Sequence, residues 1–382
     1  MPAVSTALVI GSGASGCAAA VLLAQAGVAV DLVEARPAPS TTGSGITLQG
    51  NALRVLRSLG VWPQVRASGY AFDSLGIRLP DPSATLVAEL PDVHTGGPDL
   101  PGTVGMSRPE LAAVLVARAR EVGVALHWST APVALEPDDD GVDVQLAGPE
   151  GTTGKRYDVV VGADGIHSWT RRAIGVDAEP RPVGMGIWRV HAARPADVVR
   201  TDLVYGGRCY IAGYCPTSED SLYAYLVEDT QDRSGLSREE QLAVFRDLAS
   251  SYHGPWDAIR AGLTDETPVN YARFETHLVD GPWNRGRVVL VGDAAHSCPP
   301  TIAQGAALAL EDAAVLAELL TTREAVDDAL WAAYTERRLE RVRTVVDSSV
   351  QIARWMLDHT PREEADVAGV AGRVFELVTA PA

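Results

Sequence analysis

A glycine-rich turn between a predicted strand and a predicted helix constrains the fold of this chain most. Apolar residues 3–10 predict a buried strand, and Gly11-Ser-Gly-Ala-Ser-Gly16 follows at once. The small-residue run 17–26 then predicts a helix. In such a G-x-G-x-x-G pattern the first glycine permits a tight turn, the second lets the backbone approach a pyrophosphate, and the third lets helix and strand pack closely. The N–H groups at the start of the helix would bind the phosphates.

The next strand, residues 28–34, completes a βαβ unit and ends at Glu34. A carboxylate at this position can accept hydrogen bonds from ribose hydroxyls, which strengthens the dinucleotide interpretation. The alternative is a glycine-rich turn in an unrelated α/β protein. The predicted cofactor-binding residues of this unit are Gly11, Gly13, Ala14, Ser15, Gly16, Glu34, Ala35 and Arg36.

A second segment, residues 287–300, suits the other end of a long dinucleotide. It predicts a buried strand that ends at Gly292-Asp293, then a proline loop and a helix that begins near Gln304-Gly305. The Asp293 carboxylate could accept hydrogen bonds from a polyol such as ribityl. The helix N-terminus could stabilise negative charge on a reduced flavin. Alternatively, Asp293 caps a helix and Gly292 only forms a turn. The predicted cofactor-binding residues here are Gly292, Asp293, Pro300, Gln304, Gly305 and Ala306.

A third segment, Asp164-Gly-Ile-His-Ser-Trp-Thr-Arg171, follows another buried strand. Its Asp-Gly turn, with Arg171 spaced beyond it, could hold a pyrophosphate. The alternative is a turn whose arginine pairs with a surface acid. We predict that Asp164, Gly165 and Arg171 bind the cofactor.

Nucleotide-domain elements therefore occur at both ends and in the middle of the chain, with two sheet-rich insertions. This pattern predicts an α/β fold in which a Rossmann-like FAD-binding domain of the GR2 type is interleaved with a mainly antiparallel substrate domain. A long C-terminal helix, serving for packing or as a dimer surface, closes the fold. The predicted FAD-binding domain comprises residues 1–72, 104–180 and 268–325, the substrate domain 73–103 and 181–267, and the C-terminal helical segment 326–382.

Bulk composition restricts the partners. The net charge of −17 argues against nucleic acid or an anionic membrane as a partner. The four cysteines are scattered without a CxxC pair, so we expect no metal site and no disulfide framework. No apolar run approaches the ~20 residues of a membrane span. A cytoplasmic monomer or homodimer is the expectation.

Together these segments resemble the class A flavoprotein monooxygenases of the para-hydroxybenzoate hydroxylase type, and most closely the salicylate and hydroxypyridine hydroxylases. Three family motifs match in order, over residues 11–16, 164–171 and 292–300, and weaker matches extend the resemblance over most of residues 5–345. The chain departs from the family where Ala303-Gln-Gly-Ala-Ala307 replaces the usual Gly-Gln-Gly-x-Asn and where Gly50 replaces a common proline. Contacts to the flavin pyrimidine would then be mainly backbone ones.

The resemblance implies FAD as cofactor and NADPH or NADH as electron donor, with O2 as a substrate. Glu34 would hold the adenosine ribose, Arg108 would lie near the flavin, and Asp293 would hold the ribityl chain. The segment 164–171 would serve FAD and NAD(P)H together, and Pro299 would lie beside the isoalloxazine ring.

The implied reaction is hydroxylation of a small electron-rich aromatic or heteroaromatic molecule through a flavin C4a-hydroperoxide. A nearby base or positive group would help to ionise a phenol. For each aromatic candidate in the inserted sheet, a packing role is the alternative. A flavin oxidoreductase without oxygen insertion and a non-catalytic FAD-binding module are the competing functions. The predicted catalytic residues are Pro299, Arg189, Tyr210, His191 and Tyr223, with Tyr214 and Tyr225 as further candidates.

Overall fold

A computed structural model describes residues 2–39, 41 and 43–382. Its first sheet is the parallel sheet that the glycine-rich turn predicts. In spatial order its six strands are β18 (Asn284–Arg285), β19 (Val288–Leu290), β12 (Val159–Gly162), β1 (Thr6–Ile10), β2 (Ala29–Glu34) and β8 (Ala125–Trp128). Strand β1 pairs in parallel with β2 on one side and with β12 on the other, and only the short edge strand β18 is antiparallel among the described strands of this sheet.

A larger, mostly antiparallel sheet forms the second layer. The run 183–230 is antiparallel as predicted, and the strand 269–278 joins it beyond the predicted boundary at 267. In spatial order its strands are β20 (His296–Ser297), β17 (Val269–Leu278), β13 (Arg181–Ala193), β16 (Ser221–Asp229), β15 (Ile211–Pro216), β14 (Thr201–Tyr205), β5 (Ser74–Arg78) and β6 (Leu86–Pro91). The division into domains remains a prediction.

Two three-stranded sheets complete the β structure. One of them connects the two layers, because its strand β7 lies against the end of β15: a Cβ added to Gly105 would stand 1.9 Å from the carbonyl oxygen of Pro216. This connecting sheet contains β3 (Gly45–Gln49), β7 (Thr103–Ser107) and β4 (Tyr70–Phe72). The other contains β11 (Gly151–Tyr157), β10 (Val142–Gly148) and β9 (Ala131–Pro137).

Helices cover both layers. The predicted helix over 238–262 is two helices, because Gly254 adopts a φ of 69° and Pro255 follows it. The helices are α1 (Ala14–Gln25), α2 (Gly50–Ser58), α3 (Trp62–Ser68), α4 (Arg108–Glu121), α5 (Trp169–Ala173), α6 (Arg238–Ala249), α7 (Pro255–Ala261), α8 (Gly305–Thr322), α9 (Asp328–Leu357) and α10 (Val367–Thr379). The predicted fold class, with its parallel sheet, antiparallel insertions and long C-terminal helix, is confirmed.

Among these helices, none in the described residues is both long and apolar enough to cross a bilayer. The same residues contain no group of three or more His, Cys, Asp or Glu side chains arranged to hold a metal ion.

A buried ionic network joins α8 to α9. Arg338 is fully buried and donates to Asp312 Oδ1 at 2.7 Å and to Glu311 Oε2 at 3.2 Å. Arg341, one turn further along α9, donates to both oxygens of Glu311. Four charged side chains with almost no water access thus compensate one another, and Arg54 adds a further cation 3.5 Å from Glu311.

Replacing Arg338 with methionine should therefore destabilise the protein strongly. The change leaves the buried carboxylate of Asp312 without its cationic partner, and we expect a loss of about 3–5 kcal/mol in the free energy of unfolding. Chemical denaturation of the purified variant measures it. Arg337→Met is the matched control: Arg337 pairs with Glu318 on the surface, so its loss should cost no more than about 1 kcal/mol. Equal losses in the two variants would contradict the role of the network.

Candidate functional site

In the glycine-rich turn, a Cβ would collide with protein atoms at two of the three glycines and would meet none at the third, which we call the open position. Gly11 has a φ of 103°, and a Cβ there would lie 2.5 Å from the carbonyl oxygen of Ala163. A Cβ on Gly16 would lie 1.9 Å from the carbonyl oxygen of Gly11. Gly13 has open space around its Cα and is the N-cap of α1. The first and third glycines therefore hold the helix against the strand, and the second leaves room for a phosphate to approach the helix N-terminus.

Glu34 stands at the end of β2, beside this turn. Its carboxylate accepts hydrogen bonds from the backbone N–H and the hydroxyl of Ser12, at 3.0 and 2.8 Å, and from the backbone and guanidinium of Arg36. Burial would raise the pKa of Glu34, but these hydrogen bonds lower it to about 2. The group is thus an anion over the physiological range, as a ribose acceptor requires. Ala35 and Arg36 are exposed next to it.

The 164–171 segment is ordered by its own side chains. Asp164 accepts hydrogen bonds from Ser168, which caps α5, and from Thr170. Arg171 is fully buried; its guanidinium donates to the carbonyls of Ala294 and Ile166. The hydrogen bond from Arg171 to Ala294 holds the 164–171 segment against the 292–294 turn. Gly165, with a φ of 82°, leaves open space where a Cβ would be.

Asp293 lies in the turn that follows β19. The neighbouring Gly292 donates its backbone N–H to Asp312 at 2.9 Å, and His296 contacts the same carboxylate oxygen at 2.6 Å. Asp293 itself is accessible to solvent. Burial raises the pKa of the Asp293 carboxyl, and the charges of His296 and Arg108 oppose that shift. An accessible carboxylate is suited to accept hydrogen bonds from a polyol.

The proline loop and the start of α8 lie beyond this turn. Pro299 is buried and Pro300 is exposed. The Gln304 side chain is occupied, because it contacts Gln49 and accepts a hydrogen bond from Asn51 at 2.9 Å. Gly305 and Ala306 form the first turn of α8 and are partly accessible. Among the described residues, the side chains at this helix end are thus engaged or small, and backbone contacts to the flavin pyrimidine stay a prediction.

Three of these segments meet at one edge of the parallel sheet. Strands β1, β12 and β19 are neighbours, and their carboxyl ends lead into the turns at Gly11, Asp164 and Gly292. A Cβ on Gly292 would lie 2.8 Å from Ser15 Oγ, and one on Gly11 would lie 3.1 Å from the Asp164 Cα. Segments nearly three hundred residues apart thus form one continuous site at the position where open α/β sheets bind nucleotides.

The substrate candidates form a cluster on one face of the larger sheet. Arg189 pairs with Tyr225, and His191 pairs with Tyr223, across β13 and β16. The two tyrosine rings are stacked at 5.4 Å, and the Tyr223 hydroxyl lies 2.8 Å from Thr47 Oγ1 in the connecting sheet. Burial raises the pKa of both phenols, which are therefore neutral donors at physiological pH.

Arg189 is the electrostatic centre of this cluster. It makes no side-chain hydrogen bond or ion pair with any residue that the structure describes. Burial and the like charge of Arg108 lower the pKa of Arg189 to about 10, so it remains a cation at neutral pH. Arg108, which donates to the carbonyl of Gly45 at 3.1 Å, is exposed and acts electrostatically on both Arg189 and Asp293. The cofactor and substrate halves of the site are therefore adjacent.

Two candidate tyrosines lie outside the cluster. Tyr210 donates to Asp229 at 2.6 Å and its ring lies near His359. Tyr214 is fully buried on the opposite face of the sheet and donates to Asp202. The structure brings Arg189, His191 and Tyr223 together with Tyr225 and leaves Tyr210 apart from them. Whether each residue is catalytic stays a prediction.

Sequence reasoning did not assign the residues that support the site. The pairing of Arg338 and Arg341 with Glu311 and Asp312 is one example, and Thr47 is another. A signal for the first did exist: two adjacent acids inside the apolar run of α8 need cations, and α9 carries two arginines at i, i+3 spacing. Thr47 carries no comparable signal.

Comparisons with known proteins agree with this geometry. The model of the family described as FAD binding domain matches residues 4–349. YetM of Bacillus subtilis, named as an FAD-dependent monooxygenase, is 32% identical over 361 residues, which cover 94% of this chain and 95% of that protein. The 2-heptyl-3-hydroxy-4(1H)-quinolone synthase of Pseudomonas aeruginosa is 30% identical and covers 82% of this chain and 80% of its own. Among solved structures, the tetrameric form of 2-methyl-3-hydroxypyridine-5-carboxylic acid oxygenase superposes with a TM-score of 0.78 at 27% identity, over 97% of this chain and 95% of that one.

Gly13→Ala should separate cofactor binding from folding. A Cβ at Gly13 meets no protein atom within 4 Å, and its φ of −67° suits alanine, so the variant should fold with unchanged stability. The methyl group would occupy the space of the phosphate, and we expect FAD affinity to fall at least tenfold, equivalent to about 1.4 kcal/mol. Flavin fluorescence titration of the apoprotein measures it. Gly372→Ala, at a second open position, is the control. Unchanged FAD affinity in Gly13→Ala would contradict the phosphate assignment.

Asp293→Ala should weaken FAD retention for a different reason. The change removes the hydrogen-bond acceptor for the ribityl hydroxyls, while Asp293→Asn keeps one oxygen acceptor and should retain more flavin. The ratio of flavin absorbance to protein absorbance after gel filtration reports the difference. Wild-type flavin content in Asp293→Ala would exclude this carboxylate as an anchor.

Proposed function

The chain belongs to the FAD-binding domain family as an FAD-dependent monooxygenase, and we propose that it uses NAD(P)H and O2 to hydroxylate an electron-rich aromatic or heteroaromatic molecule. The overall reaction is balanced when a ring C–H, O2, NAD(P)H and a proton give a ring C–OH, water and NAD(P)+. FAD, when bound, would supply the redox chemistry that couples NAD(P)H oxidation to the transfer of one oxygen atom of O2. The names of the relatives, which include a quinolone synthase and a hydroxypyridine oxygenase, support a nitrogen heteroaromatic or phenol as substrate.

The residues that line the site fit FAD. The open position at Gly13 and the free N–H groups at the start of α1 suit the pyrophosphate, and the anionic Glu34 suits the adenosine ribose. Asp293 suits the ribityl chain, and the first turn of α8 would face the pyrimidine edge. Arg171 would act on the cofactor indirectly, by holding the 164–171 segment against Ala294.

The observation that carries the substrate assignment is the guanidinium of Arg189. This partly buried cation has no acidic partner among the described residues, and it therefore favours an anionic ligand. The adjacent phenols of Tyr223 and Tyr225 are hydrogen-bond donors in the same place. A hydroxylated ring bound here would be stabilised as its phenolate, which attacks an electrophilic oxygen far better than a phenol.

The test combines product analysis with an isotope. Protein loaded with FAD is incubated with NADH or NADPH and a panel of phenols, hydroxypyridines and 4(1H)-quinolones under 18O2. We expect one substrate class to accelerate NAD(P)H oxidation and to gain one 18O atom. A product that is desaturated or saturated without gaining oxygen would instead support a flavin oxidoreductase, and a protein that cannot be reconstituted with FAD would exclude both enzymes.

Arg189→Met tests the role of the cation. Loss of a charge-assisted hydrogen bond of about 1.5–3 kcal/mol should lower kcat/KM for the accepted phenol or hydroxypyridine roughly 10- to 100-fold. Because Arg189 favours the ionised ring, the limb of the pH profile that reports ring ionisation should also move to higher pH. Arg273→Met is the control, since Arg273 pairs with Asp232 on the surface of the next strand. A pH profile that does not move would contradict the assignment.

A further inference from the structure

The face of the larger sheet that carries Arg189 continues beyond the aromatic cluster toward the sheet edge. Directly paired residues on neighbouring strands point to the same face, so the strand register traces a row across the sheet. The row spans five strand-to-strand steps, about 24 Å at 4.7–4.9 Å per step. Its members in order are Arg189, Tyr225, Gly213, Leu203, Ile77 and Ala88.

The far part of this face is apolar and accessible. Leu75 pairs with Leu90, and Leu90 is 48% exposed although it belongs to a regular strand. Tyr205 follows Leu203 by two residues in β14 and so lies on the same face, where it is 39% exposed. We call the side chains of Leu75, Ile77, Ala88, Leu90, Leu203 and Tyr205 the apolar strip.

The opposite face of the same strands is already packed. Asp202 is only 4% exposed there and accepts hydrogen bonds from Arg78, Arg200 and Tyr214. Val204 on the same face is buried with Tyr214 in the apolar core under α6 and α7. The apolar strip is therefore a second, accessible apolar face of these strands, and an exposed apolar patch of this kind marks a binding surface.

The apolar strip also lies on the same sheet face as the aromatic cluster. Between Tyr225 and Leu203 the row contains only Gly213, which has no side chain. Leu203 and Tyr225 also pack against the same group of apolar side chains, which includes Ile211 and Val227. The strip is therefore continuous with the place where the substrate ring would bind.

We propose that the apolar strip binds the apolar tail of an amphiphilic substrate whose hydroxylated ring lies at Arg189. This inference rests on the proposed function and adds a substrate class: a phenol or nitrogen heteroaromatic that carries an alkyl or isoprenoid chain. The ring would be held by charge and the chain by burial of its methylene groups.

A small-molecule tail fits the strip better than a second copy of the chain does. The edge strand β6 ends at Pro91, and the pairing of β5 with β6 is irregular between Ile77 and Arg78. Both features oppose edge-to-edge pairing with another sheet.

The experiment measures how binding depends on chain length. FAD-loaded protein is titrated with 2-alkyl-4(1H)-quinolones and 4-alkylphenols from methyl to pentadecyl, so that the longest chains reach Ala88 and Leu90, and the dissociation constant is read from the perturbation of the flavin spectrum. KM and kcat are measured for the same compounds. In the wild type we expect the dissociation constant and KM to fall about two- to fourfold per buried methylene, with kcat nearly constant.

Two variants locate the effect on the strip. Leu90→Gln and Ala88→Gln should flatten the dependence on chain length and leave the constants of the methyl compounds within twofold of wild type. Val133→Gln is the control, because Val133 is equally exposed on a different sheet. Binding that is independent of chain length in the wild type, or absent for every compound, would overturn the proposal. So would variants that alter sedimentation mass but not the chain-length dependence, because the strip would then join two copies.

The outcomes distinguish this inference from the proposed function. If rings gain oxygen with equal KM at every chain length, the function stands and the tail site fails. If affinity rises with chain length but no compound gains oxygen, the tail site stands and the hydroxylase proposal fails.

Discussion

The carboxylate of Asp312 is the interaction on which the rest of the site depends. One of its oxygens accepts the N–H of Gly292 and contacts His296, and the other accepts the guanidinium of Arg338. Burial would raise the pKa of Asp312, but His296 and Arg338 lower it to about 2, so the group stays ionised inside the protein. This single buried anion therefore orients the turn that presents Asp293. The orientation holds only while the anion is compensated from α9.

Parallel pairing turns distant sequence segments into a single site. The chain leaves β1, β12 and β19 at the same edge of the sheet, so each following turn needs only a local sequence to contribute its part. The turns also contact one another: Arg171 donates a hydrogen bond to the carbonyl of Ala294, and Gly292 packs against Ser15. A change in one turn is thus expected to disturb cofactor binding at the others, which makes the open position at Gly13 the cleanest probe of the phosphate contact.

The elements that could be predicted from the sequence are those whose conformation depends on residues close to them in the chain. The glycine-rich turn, the strand before Asp293 and the start of α8 depend on neighbouring residues, and the predicted fold class, FAD cofactor and monooxygenase class are confirmed. Side-chain partners across elements could not be predicted, because they depend on strand register and helix rotation. The hydrogen bond from Arg171 to Ala294, the one from Asn51 to Gln304 and the pairing of Arg189 with Tyr225 are examples.

Helix α9 connects the two halves of the site. Its middle carries Arg338 and Arg341, which hold the acids behind the Asp293 turn. Its end carries Ala353, which packs with Met356 and Leu357 against the same sheet face that bears Arg189. At 1.5 Å per residue, the 15 residues from 338 to 353 span about 22 Å of rigid helix. Helix α9 thus contacts both the acids behind the Asp293 turn and the sheet face that bears Arg189, and together with the connecting sheet it sets the distance between them.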